Sequence, residues 1–249
     1  MTSPAELPVP GGVGSVRLLP ESHHDHRDVT GGWLRPAVFG VTDGLVSNTA
    51  LIAGVAGGGA PARTVLLAGL AGLAAGAFSM ATGEYVSVAS QTELTVAEIE
   101  IEKAEIRRVP VAEEAELAGL FRSRGVDDAT SREVARQLSA DPEQAWRVHA
   151  REELGVDPDD LPSPWVAAAS SFVAFTLGAL VPVLPYLLGG DGLLLPVLLA
   201  LLALFTAGAV VSRFTNRSAL YSGTRQLVLG GLAALATFGI GTLVGASGI

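Results

Sequence analysis

The sequence predicts an all-α membrane protein with five transmembrane helices and a cytoplasmic acidic helical insert between spans two and three. Three observations carry this. Five stretches of about 20 residues hold few charges, the length that crosses the hydrocarbon of a bilayer as a helix. Charge is concentrated rather than spread: residues 91–160 hold 18 of the 25 acids and 9 of the 16 bases, a balance equal to the net charge of −9 for the whole chain. The remainder is therefore neutral and apolar, which gives a mean hydropathy of +0.44. Only 16% of residues are charged, against about 25% in a soluble domain.

The expected organisation is a mobile cytoplasmic tail (1–34), two spans (35–90), the acidic helical insert (91–160) and three further spans (161–249). The chain has no cysteine, so disulfides, thiolate metal sites and thiol catalysis are excluded. The first 30 residues lack a basic start followed by an apolar core, so no cleavable signal peptide is expected. His23, His24 and His26 flank Asp25 in that tail. They read as a mobile segment rather than a metal site, because nothing near them suggests a fold.

The first span lies between Arg35 and Arg63, with Asp43 as its only charge. A charge at the bilayer centre costs roughly 2.5–3.5 kcal/mol on insertion scales, so such a residue calls for a reason. Asp43 and Ser47 share a helix face, with Asn48 beside them. Position alone leaves three readings open: a cap at a re-entrant turn, a structural partner of another polar group, or the lining of an ion path. Intramembrane carboxylates favour the last.

The second span lies between Arg63 and Glu84, and Met80 and Glu84 stand one turn apart on one side of it. A lone Met on an apolar helix is usually core filler. A thioether next to a carboxylate would also suit a borderline transition metal. Gly40 and Gly44 precede Asn48 at four-residue spacing, as Gly72 and Gly76 precede Met80. Small residues at that spacing read as bundle packing.

No Gly or Pro interrupts the chain from Glu84 to Pro110, so the second span is expected to continue out of the membrane as one helix over 64–108. Glu98, Glu102 and Glu105 form a stripe on it. Pro110 breaks the chain, and a short helix follows with Glu113 and Glu116 at i, i+3, ended by Gly125. A third helical region runs to Gly155, with a break anticipated at Asp141–Pro142. Near its end His149 and Glu153 share a face. Glutamates on two helices with His-x-x-x-Glu on a third can converge on Fe²⁺ or Mn²⁺, and would also accept Zn²⁺. The competing reading is a solvated acidic face. A di-iron four-helix bundle wants Glu-x-x-His on two helices, a motif this chain lacks.

The third span is expected between Asp160 and Asp191, trimmed or kinked by Pro164, Pro182 and Pro185. The fourth is "GLLLPVLLALLALFTAGAVVS" (192–212), and the fifth follows Arg225. Arg27, Arg35, Arg213, Arg217 and Arg225 flank one side of the membrane, with Lys103, Arg107 and Arg108 in the insert. The opposite loops hold only Arg63. The positive-inside rule then predicts a cytoplasmic N-terminus and insert.

"DGLVSNTALIAGVAG", "SMATGEYVSVASQTE" and a Glu-rich insert ending "HAREELGVDP" resemble, in order and spacing, the vacuolar iron transporter (VIT) family in its bacterial form. The resemblance covers nearly the whole chain from Arg35. It implies a homodimer of five-span protomers with a cation path between them, and proton-coupled export of Fe²⁺, often also Mn²⁺, from the cytoplasm. It implies a bacterial inner-membrane location. The family's path aspartate falls on Asp43 and its path methionine on Met80. Its insert glutamates fall on Glu102, Glu105, Glu113, Glu116 and Glu153. Plant-type members place Met where this chain has His149. Glu84 and Glu98 are candidates from facing geometry, not from the resemblance.

On this reading no cofactor is permanently bound, and Fe²⁺, Mn²⁺ or Zn²⁺ is substrate and insert ligand. Proton and metal compete for the Asp43 oxygens. Two Asp43 side chains, one per protomer, would meet near the dimer axis. The alternative is a membrane-anchored metal sensor or store, which leaves Asp43 unexplained. No Ser–His pair, His-Glu-x-x-His motif or paired intramembrane aspartates suggest an enzyme. An acidic insert argues against nucleic acid.

Overall fold

The computed structural model describes residues 32–215 and 217–247. The histidines at 23, 24 and 26, and the expected tail up to residue 31, lie outside the described residues. The described chain forms, in order, α1 (Leu34–Gly57), α2 (Ala62–Arg108), α3 (Pro110–Ser123), α4 (Asp128–Leu138), α5 (Pro142–Glu152), α6 (Pro164–Leu187), α7 (Leu194–Val211) and α8 (Ala219–Ser247). No strand occurs among the described residues. Five of these helices, α1, α2, α6, α7 and α8, are long and apolar enough to cross a membrane.

Local chemistry accounts for the boundaries. Gly59 turns the chain between α1 and α2 with φ +79, the left-handed region that favours glycine. Helix α2 then runs 47 residues without a break, about 70 Å. Val109 and Pro110 end it, and Pro110 starts α3, where its missing N–H is no loss. The Asp127 and Asp141 carboxylates accept from the main-chain N–H of Thr130 and Glu143 and so cap α4 and α5. Helix α6 starts at Pro164 and continues through Pro182 and Pro185 to Leu187.

The fifth span differs from expectation: α8 begins at Ala219, so Arg225 lies inside the helix. Its guanidinium reaches back to 5.9 Å from the Tyr221 ring, and a long side chain near a helix end can place its charge outside the apolar layer.

Helix α1 is central, packing against α2, α6, α7 and α8. Its crossing with α6 depends on glycine. A Cβ on Gly44 would collide with the Phe175 carbonyl, and one on Gly178 with the Val41 carbonyl, so the two backbones approach as closely as small residues allow. The outer faces stay apolar, with Leu67, Phe78, Leu198, Leu202, Leu235 and Leu243 exposed. Lipid tails solvate such faces as well as protein does.

Helices α3, α4 and α5 pack beside the extramembrane end of α2. Leu117, Ala118 and Ala135 form their core with Phe121, Leu138 and Val148. Trp146 of α5 ties this unit to α2, its ring 4.2 Å from the Lys103 ammonium. One continuous helix therefore carries both Met80 in the span and Glu102 in the insert, about 33 Å apart along its axis.

Candidate functional site

Two polar regions stand out, one inside the spans and one in the insert. Within the spans, α1, α2 and α6 enclose a partly open cavity of about 260 Å³. Asp43, Ser47 and Asn48 line it from α1, Met80 and Ser79 from α2, and Phe175 from α6. The periodicity of α1 brings its three polar residues to one side. The Ser47 hydroxyl donates to the Asp43 main-chain carbonyl at 2.6 Å, so it is turned to its own helix rather than to the carboxylate. Among the described residues no cation pairs with Asp43. Asn48 is buried: its amide nitrogen donates to the Ala179 carbonyl at 2.8 Å, while its Oδ1 has no hydrogen-bond partner among the described residues. Met80 packs partly against the Ala77, Phe175 and Ala179 cluster.

Gly72 and Gly76 have a different use from the backbone-to-backbone packing that their spacing suggests. A Cβ on Gly72 would meet Leu51 and Asn48 Oδ1, and one on Gly76 the Phe175 ring. The missing side chains make room for side chains of α1 and α6 in and around the cavity. Ser79 also lines it and was not among the candidates, although it directly precedes Met80 in "SMATGE". Glu84, one turn beyond Met80, is partly buried and does not line the cavity.

In the insert, Glu102 of α2, Glu113 of α3 and His149 of α5 meet with ligand atoms within 4.8 Å of one another, and all three residues are buried. His149 Nδ1 lies 2.8 Å from Glu102 Oε1, 3.6 Å from Glu153 Oε2 and 4.0 Å from Glu113 Oε2. Neither His149 ring nitrogen forms a hydrogen bond among the described residues, nor does Glu102 Oε1, despite the short separation. His149 Nδ1 and Glu102 Oε1 are close without meeting hydrogen-bond geometry. Buried polar atoms without partners are costly, and several of them converging is the arrangement a cation would satisfy.

The electrostatics agree. Burial pushes the Glu102 carboxyl up to about 7, helped by Glu153, Glu113, Glu105 and Glu116. Glu113 is raised as well, first by burial and then by Glu116, with His149 acting in the opposite sense. Glu105 and Glu116 thus sit close enough to act on the buried pair, although Glu116 is exposed and Glu105 lies 3.9 Å from Arg108. Glu98 is exposed and is not part of the buried group. Beside Glu113 and His149, a pocket of about 100 Å³ also takes in Ser139, whose buried hydroxyl has no partner among the described residues. Nothing in the spacing of Ser139 marked it. Several carboxylates and one imidazole suit Fe²⁺, Mn²⁺ or Zn²⁺ rather than a soft monovalent ion.

A family model described as the VIT family matches residues 34–242. The chain is 41% identical over 219 residues to a vacuolar iron transporter of Acanthamoeba castellanii, covering 86% of this chain and 79% of that protein. It is 33% identical over 231 residues to vacuolar iron transporter 2 of Oryza sativa subsp. japonica, covering 92% and 94%. Against vacuolar iron transporter 1 of Arabidopsis thaliana the identity is 34% over 227 residues, covering 89% and 90%.

Proposed function

The chain belongs to the VIT family, and from that premise we propose that it is a multi-pass transporter exporting Fe²⁺, with Mn²⁺ as a second substrate, from the cytoplasm in exchange for protons. The observation that carries the reading is the cavity inside the spans, where a carboxylate without a cationic partner, a thioether and an amide oxygen are assembled. A packing defect would not gather three metal-ligating atom types in an otherwise apolar bundle.

In this mechanism the insert gathers metal. Glu102, Glu113 and His149 form its buried centre, and Glu105, Glu116 and Glu153 surround it with negative charge that attracts divalent ions and holds them near the membrane. Binding there displaces the proton whose hold on Glu102 burial strengthens. The ion then enters the spans at Asp43, where metal and proton compete for the same oxygens. Met80 adds a softer donor that favours transition metals over Ca²⁺ and Mg²⁺. A homodimer would bring two Asp43 side chains to one ion near its axis. The N-terminus and insert are cytoplasmic in this scheme, and the membrane is a bacterial inner membrane. The sensor or store reading draws support from the buried insert cluster alone and gives the intramembrane cavity no use.

The test is Fe²⁺ flux into proteoliposomes of purified protein, with and without a pH gradient, beside Asp43→Ala. Flux that requires both the gradient and Asp43 is expected. Metal binding to the insert without flux in the unaltered protein would establish the sensor or store instead.

A further inference from the structure

Asn48 is 2% exposed, past the midpoint of α1. Its two polar ends have unequal surroundings. The Nδ2 end lies 2.8 Å from the Ala179 main-chain oxygen of α6. That oxygen only accepts, so the amide cannot be reversed without setting two oxygens against each other. The orientation is therefore determined: Nδ2 is tied to α6, and Oδ1 is left over. Oδ1 is buried and has no partner among the described residues, and Asn48 lines the same cavity as Asp43 and Met80.

What lies in front of Oδ1 is Gly72. A Cβ there would stand 2.8 Å from the oxygen, and it would meet Leu51 at the tip of that flexible side chain. Any other residue at 72 would cover the carbonyl. An unpaired buried acceptor over which the neighbouring helix places no side chain, at the wall of a cavity that also holds a carboxylate and a thioether, is a ligand position rather than a packing position. Asn48 is also five residues beyond Asp43 on α1, about 7.5 Å further along the helix and away from the end that meets the insert.

We infer that the Asn48 side-chain carbonyl, oriented by its bond to Ala179 and left without a covering side chain by Gly72, is a neutral oxygen ligand that takes the transported divalent ion from Asp43 and passes it toward the far side. This rests on the transport reading above and extends it. The chemistry suits a relay. A carboxylate holds a divalent ion strongly, and a single neutral carbonyl holds it weakly enough to let it leave, which conduction through successive sites requires. A neutral ligand also binds no proton at physiological pH, so the ion can leave Asp43 free for one.

The experiment is Mn²⁺ uptake into proteoliposomes at varied concentration, comparing unaltered protein, Asp43→Ala, Asn48→Leu, Gly72→Ala and Asn48→Asp. Asn48→Leu removes the carbonyl but also the bond to Ala179, and therefore tests ligand and packing together. Gly72→Ala keeps the Nδ2 donor and its Ala179 acceptor and crowds Oδ1 with a methyl that would stand 2.8 Å from it. Both are expected to lower the maximal rate at least tenfold, with Mn²⁺ binding to the insert unchanged. Asn48→Asp sets an oxygen against the Ala179 carbonyl unless it holds a proton there, so it loses the orientation of Asn48 and is expected to lower the maximal rate as Asn48→Leu does. Uptake by Gly72→Ala at the unaltered rate would overturn the inference even if Asn48→Leu fails, since Asn48 would then act only by holding α6. If Asn48→Leu does not fold, Gly72→Ala decides. Loss of uptake in Asp43→Ala alone would refute the relay and leave the transport reading standing. No uptake by the unaltered protein would refute the transport reading itself.

Discussion

Replacing Glu102 by Gln separates the charge of the most perturbed carboxyl from its shape. The Glu102 carboxyl sits at about 7 instead of its ordinary 4.5, first because it is buried and then because four other glutamates face it. A displacement of that size corresponds to about 3 kcal/mol in favour of the protonated form. Glu153 and Glu116 are exposed to solvent, which screens their share, so about 1–2 kcal/mol is the effect to expect. The unfolded chain gives up this proton near 4.5 and the folded insert holds it to about 7. In that window the folded state binds more protons, and stability falls as pH rises. Above it the metal-free insert carries the full penalty, and below pH 4.5 it carries none. Gln is neutral throughout. Metal-free Glu102→Gln is therefore expected to be about 1–2 kcal/mol more stable than the unaltered protein at pH 8 and no different at the acid end.

The variant also loses a ligand, so metal should stabilise it less. A single unfolding midpoint is poorly defined for a protein with separate membrane and insert parts, so amide hydrogen exchange in α3 and α5 of the full-length protein is the suitable assay. It should be run with and without Mn²⁺ from pH 5 to pH 8 and corrected for intrinsic rates. The metal-free variant should exchange about 5–30-fold more slowly at pH 8, and the protection conferred by Mn²⁺ should shrink. Faster exchange in the metal-free variant, or undiminished protection by Mn²⁺, would refute the view of Glu102 as a strained, charge-loaded ligand.

Two further outcomes follow from the packing and the insert. Gly44→Ala places a methyl against the Phe175 carbonyl at the α1–α6 crossing, where backbone cannot yield, and should cost about 1–3 kcal/mol. Gly83→Ala has nothing within 4 Å and should be neutral or stabilise its helix by up to about 1 kcal/mol; amide hydrogen exchange in the helix carrying each substitution compares the two, and equal effects would contradict the crossing described here. His149→Leu keeps most of the buried volume but removes both unpaired nitrogens. Calorimetric titration of Mn²⁺ into the full-length protein should show insert affinity reduced at least tenfold, about 1.4 kcal/mol, with the metal-free fold intact; unchanged affinity would remove His149 from the ligand set.

Asp43 was visible in the sequence because one charge in an apolar run is conspicuous whatever surrounds it. The insert was harder. Spacing set Glu98, Glu102 and Glu105 on one stripe of α2, yet the fold buries Glu102 while leaving Glu98 in solvent. Periodicity reports which residues share a face, and it does not report how far along the helix the partner helices reach. Here α3 and α5 cover the stripe at Glu102, where Glu113 and His149 arrive. Gly72 and Gly76 show the same limit. Their spacing is that of a helix contact, but what occupies the space they leave is Asn48, Leu51 and Phe175, from helices whose register the spacing does not contain.

By itself the sequence determined how many helices could cross a membrane, where the acidic charge is concentrated, and which residues bring charge or a donor atom to each segment. Those are properties of hydropathy, length and composition, and they act locally. Only the tertiary structure decided which of these atoms face one another. The bond that orients Asn48 spans 131 residues, and the buried Glu102, Glu113 and His149 come from three separate helices. Contacts of that kind depend on how helices cross. Crossing is set by close backbone approaches such as Gly44 on Phe175, a relation between two distant segments that neither segment's pattern holds alone.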